Sequence, residues 1–352
     1  MRPIGYYVHH QGAGHLHRAM SIARHLARPV TLLGTGLGKV DAAVLDLPDD
    51  RLTEVFEGRD GESERPEAFH YAPLGHDGVR TRMAMLARWM QEQNPALLIV
   101  DVSVEIALFG RLLSVPTLVV RLAGDRTDVP HLEAFRAATR LIAPFPEILD
   151  SPETPAWVGA KTIYAGLLAE RSAGASEGDG RVVVLLGRGG DGVSGRDLAD
   201  AARTVPDRAW HVLGEVSGET TAPPNLHLHG WVEDVASRLA PATIVVGSGG
   251  DGVLAAVAAA GKRFVCLPQP RAFREQAAKA ERLARIGAAV TLYRWPDAGD
   301  WPGLLDRAMR LDPGRLASLV QDGAVRDLAR AIDAIADGFE RGGKVARSED
   351  PV

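Results

Sequence analysis

The sequence predicts an α/β protein made of two doubly wound domains, whose parallel sheets face each other across a cleft. Short, nearly continuous runs of Val, Ile and Leu alternate with helix-like segments along the whole chain, as in parallel sheets covered on both faces. A small, polar, glycine-rich segment at 169–180 separates two such halves, and glycine turns follow strands in both. With 352 residues, each half is long enough to form its own core.

Eleven apolar runs are predicted as strands, because they are short, rich in β-branched residues and bounded by turn residues. In chain order they are Ile4–Val8, Val30–Leu33, Ala96–Val100, Thr117–Val120, Leu141–Ala143, Val182–Leu186, Trp210–Leu213, Leu226–Leu228, Ile244–Val246, Phe264–Leu267 and Ala289–Leu292. The predicted first domain comprises residues 1–168 and the second 181–312, with 169–180 as the linker. Helices in 313–341 are expected to pack back on the first domain, and the tail 342–352 is expected to be disordered.

Composition excludes several classes of protein. A formal charge of −5 and a pI near 6.1 argue against a nucleic-acid partner, which requires a basic surface. We find neither a signal peptide nor an apolar run long enough to span a bilayer, so we expect a cytoplasmic protein with at most peripheral membrane contact. The amphipathic stretch from Val79 to Met90 is interpreted as a core-facing surface helix, with a membrane-surface helix as the alternative. The single cysteine, Cys266, is expected in the core.

The most informative segment is the glycine turn Gly12-Ala13-Gly14, which follows the first strand and precedes a helical pattern. Glycines let the backbone approach a ligand, and the free N–H groups of a helix N-terminus attract anions. His15 begins that helix at the carboxyl end of a strand, which makes it a candidate proton acceptor. The alternative is a helix-capping role.

Asp101 ends a buried strand and is expected to face the same cleft as His15. It can accept a hydrogen bond from the far ring nitrogen of His15, which would fix the tautomer of that ring and raise its basicity. The alternative is an N-cap for the following helix. No metal site is expected around His15, since no acidic or cysteine ligand lies among the nearby histidines, and His9 and His10 should point to opposite faces of a strand.

Three segments in the second half are candidates for binding a nucleotide-sugar donor. Consecutive glycines before a helix suit a phosphate held by main-chain amides, and polar groups in a first helical turn can bind hydroxyl groups. The candidate phosphate loop consists of Ser248, Gly249, Gly250, Asp251 and Gly252. The candidate hydroxyl-binding residues are Glu275 and Gln276, for which a solvated helix start is the alternative. The third, Gly187, Arg188 and Gly189, opens a G-x-G-x-x-G match with Glu215 at the fingerprint distance.

That match supports an NAD-dependent oxidoreductase as a rival interpretation. Helical spacing begins only near Leu198, however, too late for the third glycine of a dinucleotide fingerprint. A further segment, from Glu57 to Gly78, is polar, contains His70 and His76, and is predicted to be a long loop that is either functional or disordered.

Taken in order, these segments resemble the GT-B glycosyltransferases, which have two Rossmann-like domains. The resemblance is greatest to the branch with the lipid-II-forming N-acetylglucosaminyltransferase of peptidoglycan synthesis and its family 28-like C-terminal domain. Two regions carry it. One is Gly12-Ala13-Gly14-His15 with Arg18-Ala19. The other runs from Gly230-Trp231-Val232 through the glycine loop, Ala258-Ala259-Ala260-Gly261, Leu267-Pro268 and Arg274-Glu275-Gln276 to Gly287-Ala288-Ala289.

The resemblance implies a role for each matching residue. His15 would deprotonate an acceptor hydroxyl, and Asp101 matches the acid that orients this base in related plant-type transferases. Val232 would present main-chain groups to a nucleobase, and Gly249 and Gly250 would face the diphosphate. Glu275 and Gln276 would bind hydroxyls of the donor sugar.

Two positions depart from the family pattern. The glutamate that holds the ribose in the family falls at Ala256, which cannot accept those hydrogen bonds, so either another residue such as Asp251 replaces it or the nucleotide is held differently. Thr243 stands where the family usually has an acid. The identity of the nucleobase therefore stays open.

We therefore predict an inverting, metal-independent glycosyltransferase that needs no cofactor and uses a nucleotide-diphosphate sugar, UDP-linked, as co-substrate. Its acceptor is a small molecule, a glycan or a lipid-linked molecule. An inverting displacement places the base and the departing diphosphate on opposite sides of the sugar, hence on opposite domains of a cleft. A nucleotide-sugar hydrolase or epimerase, an oxidoreductase and a non-catalytic nucleotide-binding module are the alternatives.

Overall fold

The computed structural model describes residues 1–10, 13–54, 56–171, 178–187, 193–218 and 220–342. Two sheets, one of seven and one of six strands, form the centres of two domains, and every paired strand is parallel. The predicted fold class is confirmed. None of the described helices combines the length and the apolar character that crossing a bilayer requires.

The first sheet has the order β3-β2-β1-β4-β5-β6-β7. Its strands are β1 (Ile4–Tyr7), β2 (Val30–Gly34), β3 (Ala43–Asp46), β4 (Leu97–Asp101), β5 (Thr117–Val120), β6 (Arg140–Ala143) and β7 (Thr162–Tyr164). The helices between them are α1 (Ala13–Ala23), α2 (Asp77–Gln93), α3 (Val104–Leu112), α4 (Val129–Ala137) and α5 (Ala156–Lys161).

The second sheet has the order β10-β9-β8-β11-β12-β13. Its strands are β8 (Arg181–Leu185), β9 (Trp210–Leu213), β10 (Leu226–Leu228), β11 (Ala242–Gly247), β12 (Arg263–Cys266) and β13 (Val290–Thr291). The helices are α6 (Gly195–Thr204), α7 (Val235–Leu239), α8 (Asp251–Ala259), α9 (Glu275–Arg285), α10 (Trp301–Met309), α11 (Pro313–Ala317) and α12 (Ala324–Gly342). In each sheet the strand order reverses beside its first strand, and ligands bind at such a switch point.

Alternating strand residues supply separate cores on the two faces of the first sheet. On β4, Leu97 and Ile99 join one buried cluster, while Leu98 and Val100 join another on the opposite face. Because both faces are covered, successive positions are all apolar, which explains the uninterrupted Leu-Leu-Ile-Val run.

The chain returns to the first domain at its end. Leu328, Ile332 and Ala336 of α12 join the same buried cluster as Ile4. Arg28 of the first domain pairs with Glu340, with Arg28 Nη1 2.8 Å from Glu340 Oε1. Helix α12 therefore contributes to the first domain rather than to the one that precedes it in sequence.

The structure differs from the sequence prediction in detail. Two strands were not predicted, β3 and β7; neither has a fully buried residue, so neither shows the apolar run that marked the others. Helix α2 turns Leu86, Trp89 and Met90 toward the core, as the core-facing interpretation expects. Cys266 is likewise fully buried.

Candidate active site

Two predicted site residues meet at the switch point of the first sheet. His15 lies in the first turn of α1, which follows β1, and Asp101 is the last residue of the neighbouring β4. The Nδ1 atom of His15 is 3.1 Å from Oδ1 of Asp101, and the carboxylate is completely buried. Gly14 precedes His15 on the exposed side of α1, while Gly12 lies outside the described residues.

Arg18 completes this group, although sequence analysis quoted it only as part of a motif. It follows His15 by three residues and so lies on the same face of α1. Its Nη2 atom donates to both oxygens of Asp101, at 2.9 Å and 3.0 Å. The same Nη2 atom is 3.0 Å from Nδ1 of His15. The i, i+3 spacing from His15 was the signal that could have identified this residue.

The Asp101 carboxyl is held in its charged form. Burial by itself raises the pKa of Asp101, but the Arg18 guanidinium and the hydrogen bond with His15 outweigh that effect, and the pKa lies below its ordinary value. The N-cap alternative for Asp101 is wrong, because Ser103 caps α3 by accepting from the Ile106 amide.

The backbone that positions Asp101 is strained. Val102 has a φ of 60°, and the Ser103 amide donates to the Asp101 carbonyl at 3.0 Å, which closes a three-residue turn. Such a conformation is rare for a β-branched residue and costs about 1–3 kcal/mol. The tight turn lets α3 begin directly after β4 while the Asp101 side chain stays in the cleft.

The glycine loop of the second domain follows β11 and is fixed by Gln276. The Gln276 side-chain oxygen accepts from the Gly249 amide at 3.1 Å and from the Gln269 amide at 2.9 Å. Both lone pairs of that oxygen are therefore used inside the protein, and only its amide nitrogen is available for a sugar hydroxyl. A Cβ atom at Gly249 would lie 3.0 Å from the Gln276 carbonyl oxygen, so the loop packs tightly against α9 at this glycine.

Asp251 links the two domains. It is the first residue of α8, pairs with the buried ammonium group of Lys279, and has its Oδ2 atom 3.5 Å from Nη1 of Arg18. Burial raises the pKa of Asp251, but Lys279 and Arg18 lower it more, so the carboxyl is ionised. Lys279 also lies 3.3 Å from Glu275. The base candidate and the glycine loop therefore approach the same point from opposite domains.

The other predicted donor residues are more dispersed. Gly187 follows β8, whose Leu185 pairs with Gly247, so it lies at the same sheet edge as the glycine loop. Arg188 and Gly189 are outside the described residues. Gly252 lies within α8, and the Ser248 hydroxyl accepts from the Gly250 amide at 3.4 Å.

Two positions of the second domain pack inward. Val232 and Ala256 both contact the core of the second domain, and neither lines the cavity among the described residues. Thr243 accepts a hydrogen bond from the Gly180 amide at 2.8 Å, which is a structural role. Helix α6 begins at Gly195, later than a dinucleotide fingerprint requires.

A cavity of about 1030 Å³ lies between the domains beside His15. Its wall includes Tyr7 and Glu105 from the first domain and Phe273 and Glu275 from the second. The predicted long loop from Glu57 to Gly78 is ordered and supplies two further lining residues, His70 and Tyr71.

The histidines near the cavity differ from expectation. Strand β1 ends at Tyr7, so His9 and His10 lie in the following loop, and their rings stack with centroids 4.8 Å apart instead of pointing to opposite faces. Their orientation therefore no longer argues against a metal.

An unpredicted group of metal-ligand residue types lies at another part of the cavity wall, which two of its three members line. It consists of His70, Asp128 and His131, whose ligand atoms lie within 4.8 Å of one another. The Nη1 atom of Arg126 is 2.9 Å from Nε2 of His131. Since a guanidinium only donates, that nitrogen carries no proton, and Nδ1 must carry it toward Asp128. The arrangement is therefore a chain of hydrogen bonds, because a protonated Nδ1 does not bind a metal ion.

A strained loop of the second domain contacts the first domain at this wall. Phe273 and Arg274 have φ values of 56° and 51°, two consecutive non-glycine residues in the left-handed region. The Phe273 ring packs edge-on against His131, and its carbonyl accepts from the Asp125 amide at 2.8 Å. Gly124 has a φ of 102°, and a Cβ atom there would lie 2.2 Å from that carbonyl oxygen.

Comparisons with known proteins agree with this architecture. No family model matches the chain. The chain is 27% identical over 277 residues to the UDP-N-acetylglucosamine--N-acetylmuramyl-(pentapeptide) pyrophosphoryl-undecaprenol N-acetylglucosamine transferase of Nitrobacter hamburgensis. The aligned region covers 69% of this chain and 73% of that protein.

Solved structures show the same fold over nearly the whole chain. MurG of Acinetobacter baumannii superposes with a TM-score of 0.67 at 17% identity, covering 95% of this chain and 100% of that one. The calicheamicin glycosyltransferase CalG4 superposes with a TM-score of 0.66 at 17% identity, covering 98% and 99%. The chain therefore has the GT-B fold, and in sequence it is similar to a glycosyltransferase with that fold.

Proposed function

We propose that the protein is an inverting, metal-independent transferase that moves a sugar from a UDP-linked donor to an acceptor hydroxyl, with His15 as the base. One observation carries the proposal. Arg18 contacts His15 and Asp101 of the first domain and reaches Asp251 at the start of α8, so the base and the glycine loop lie on opposite sides of one narrow gap.

The orientation of His15 supports a role as base. When Nδ1 donates its proton to Asp101, the lone pair of Nε2 is free to accept a proton from a substrate hydroxyl. Arg18 competes for the same Nδ1 atom, because its Nη2 lies equally close and can only donate. Proton acceptance at Nε2 therefore requires Asp101, not Arg18, to be the partner of Nδ1.

Arrival of an anionic donor resolves this competition. Arg18 lies beside the start of α8, where the first N–H groups of the helix attract a diphosphate. If Arg18 turns toward the diphosphate, Asp101 loses its cationic partner and becomes a stronger acceptor for the His15 proton. His15 would then be a stronger base when the donor is bound than when the site is empty. Deprotonation of the acceptor would therefore be favoured only when a donor is present.

Positive charge near the leaving group comes from the chain itself. Arg18 and Lys279 both lie around Asp251, and the α8 macrodipole points its positive end at the same place. Cations and main-chain amides in a water-poor gap can stabilise the charge that develops on a departing diphosphate. This arrangement supports leaving-group stabilisation without a bound metal ion.

The acceptor hydroxyl would approach from the cavity beside His15. That cavity is large enough for a donor sugar and a further molecule, and Glu275 faces it from the donor side. Uracil as the nucleobase of the donor is part of this proposal. Ala256 packs into the core, so the ribose must be held by other residues.

The test is His15→Ala, with the exposed neighbour His17→Ala as the matched control. We expect sugar transfer from UDP-N-acetylglucosamine or another UDP-sugar to fall about 10²–10⁴-fold, because general-base catalysis has this magnitude. Binding of UDP, measured by titration calorimetry, should remain within about twofold, since His15 lies on the acceptor side of the gap. Normal turnover by the His15 variant would refute its role as base.

A further inference from the structure

Many of the residues that line the cavity carry polar side chains. Only six of its twenty lining residues are apolar: Leu52, Val102, Val104, Leu122, Ala272 and Phe273. Sites for lipid chains or flat aromatic molecules are lined mainly by apolar side chains, with a few polar groups for orientation. This cavity has apolar surface as well, but its polar side chains are numerous, so its occupant must pair with several polar groups.

One of these groups is a buried carboxylate oxygen that accepts no hydrogen bond. Arg82 Nη1 lies 3.1 Å from Oδ2 of Asp50, and Arg82 is itself buried against the Tyr7 hydroxyl. Oδ1 of Asp50 is buried and lies 3.5 Å from Nδ1 of His10, and among the described residues it accepts no hydrogen bond. A carboxylate oxygen in this state requires a donor, and a hydroxyl or amino group of a ligand is the group that can supply it.

A second acceptor atom follows from the fixed tautomers of the hydrogen-bond chain. Arg126 forces the His131 proton onto Nδ1, which donates to Oδ1 of Asp128 at 2.5 Å. The other oxygen of Asp128 is 2.5 Å from Nε2 of His70, and a carboxylate only accepts, so His70 donates there. Hydrogen bonds from these histidines hold the pKa of Asp128 below its ordinary value, although burial acts in the opposite direction.

With Nε2 donating to Asp128, the tautomer of His70 that carries one proton keeps a lone pair on Nδ1. The ring is half-buried and lines the cavity, and within the described part of the chain Nδ1 has no partner. Its backbone is fixed as well, because the Glu105 carboxylate accepts from the His70 and Tyr71 amides at 2.8 Å and 2.9 Å. Glu105 is thus occupied by the protein, while His70 presents an open acceptor atom.

From these atoms we infer that the acceptor substrate is a polyol-like molecule with several hydroxyl or amino groups, which Asp50 and His70 bind. The inference rests on the proposed function and narrows its acceptor. With Nε2 of His15, the cavity presents three hydrogen-bond acceptors and so matches a ligand rich in donors. A ligand with one hydroxyl on an apolar body would cover Asp50 and His70 without pairing them, which is strongly unfavourable.

The experiment compares two sets of acceptors in an assay of UDP release from a UDP-sugar. One set carries several donors: methyl glucoside, maltose, myo-inositol and 2-deoxystreptamine. The other carries a single hydroxyl on an apolar body: octanol, farnesol and 4-methylumbelliferone. We expect kcat/KM to be at least tenfold higher for the best member of the first set.

Variants assign the preference to the two residues. Asp50→Asn replaces the carboxylate oxygen that accepts no hydrogen bond, and His70→Phe removes Nδ1 together with the Nε2 donor to Asp128 while keeping a ring against His131 and Phe273. Each should raise KM for the preferred polyol about tenfold to a hundredfold. UDP affinity should stay within about twofold, because neither residue lies on the donor side. The exposed Asp306→Asn and His25→Phe are the controls and should change nothing.

The outcomes separate the inference from the proposed function. Equal or better use of the single-hydroxyl set, or an unchanged KM in the folded His70 variant, overturns the inference while leaving the transferase intact. If Asp50→Asn fails to fold because Arg82 loses its partner, the His70 variant alone decides. Binding of UDP without release of UDP from any donor, with these acceptors or water, overturns the proposed function and the inference with it.

Discussion

Arg18 is the residue on which the two halves of the site depend. Its guanidinium is nearly buried and divides its contacts among Asp101, His15 and Asp251. Such a fork can bind a carboxylate or a phosphate through two parallel hydrogen bonds, which an ammonium cannot do. The role of Arg18 therefore depends on the geometry of its guanidinium group as well as on its positive charge.

We predict that Arg18→Lys keeps the fold but lowers kcat about tenfold to a hundredfold, because the charge remains while the paired contacts are lost. UDP should bind more weakly to the variant, whereas UMP, which lacks the second phosphate, should be less affected. Steady-state kinetics and calorimetry with both nucleotides measure this. Arg24→Lys, exposed on the same segment, is the control, and a kcat within twofold of the unchanged protein would contradict the role.

Residues whose position relative to a strand defines their place in the site could be predicted from the sequence. His15 and Asp101 follow or end adjacent strands, and the carboxyl ends of parallel strands meet at one edge. Lys279 could not be found in this way. It is a buried lysine within α9, and only the tertiary structure shows that Asp251 and Glu275 compensate its charge.

Among the elements, the loop between β11 and α8 depends on a single side chain of α9. The Gln276 oxygen binds two backbone amides, those of Gly249 and Gln269, and the side chain is almost completely buried. The backbone of the loop approaches Gln276 closely at Gly249, so a side chain there would force its neighbours to shift.

Replacing Gln276 by leucine leaves two buried amides without an acceptor, so we expect a loss of about 2 kcal/mol in the free energy of unfolding, together with weaker UDP binding. Gln276→Glu keeps an acceptor oxygen and should preserve stability, yet it brings negative charge toward the diphosphate and should still weaken UDP binding. Chemical denaturation and calorimetry distinguish the two effects. Equal UDP affinity in both variants and the parent would show that this loop does not hold the nucleotide.

Strands were predicted well where burial on both faces produces a run of apolar residues, and poorly where the strand is less buried. The central strands of both sheets were found because covered faces demand apolar residues. Strands β3 and β7 lie at the edges of the first sheet and carry mixed residues. The loop that bears His70 has no periodicity, and its order depends on the distant Glu105.

One glycine lies at a close contact between the two domains of the molecule. Gly124 has a φ of 102° and lies against the Phe273 carbonyl of the other domain. No other residue type can adopt that conformation without strain, and none has a side chain small enough for the contact. The relative position of the domains is therefore encoded in a turn far from the chemistry.

Gly124→Ala should separate the domains at this contact, because the added methyl group would overlap the Phe273 carbonyl. We expect a larger radius of gyration in X-ray scattering and about a tenfold lower kcat, since the reacting groups would no longer be held in register. Gly180→Ala is the control for backbone strain alone, because Gly180 has a φ of 95° and an added Cβ atom there would have no neighbour within 4 Å. Unchanged scattering and kinetics would refute this account.

Stability of the molecule should depend on pH through His131. Burial, and then the nearby Arg126 cation, lower the pKa of His131 to about 4. An unfolded histidine has a pKa of about 6.5, so between these values the unfolded chain takes up a proton that the folded chain does not. The folded state therefore loses stability as the pH falls from about 6.5 to about 4.

The prediction is a melting temperature that declines over this range, with a shallower decline in His131→Gln. That variant should be less stable at pH 7, because Arg126 and Asp128 lose a partner, but less sensitive to acid. His25→Gln, an exposed site, is the control. If the melting temperature declined equally with pH in the parent and the His131 variant, the acid sensitivity would belong to other groups. The candidates are His9 and His211, whose pKa values are also lowered to about 4, mainly by burial.

The return of α12 to the first domain has a consequence for engineering. Exchange of donor specificity between relatives is naturally attempted by joining one half-protein to another at the 169–180 segment. Here such a hybrid would import a foreign α12, whose Leu328 and Ile332 must fit beside Ile4 and whose Glu340 must meet Arg28. A workable hybrid needs a second crossover, between α11 and α12, so that the native terminal helix stays with the half it stabilises.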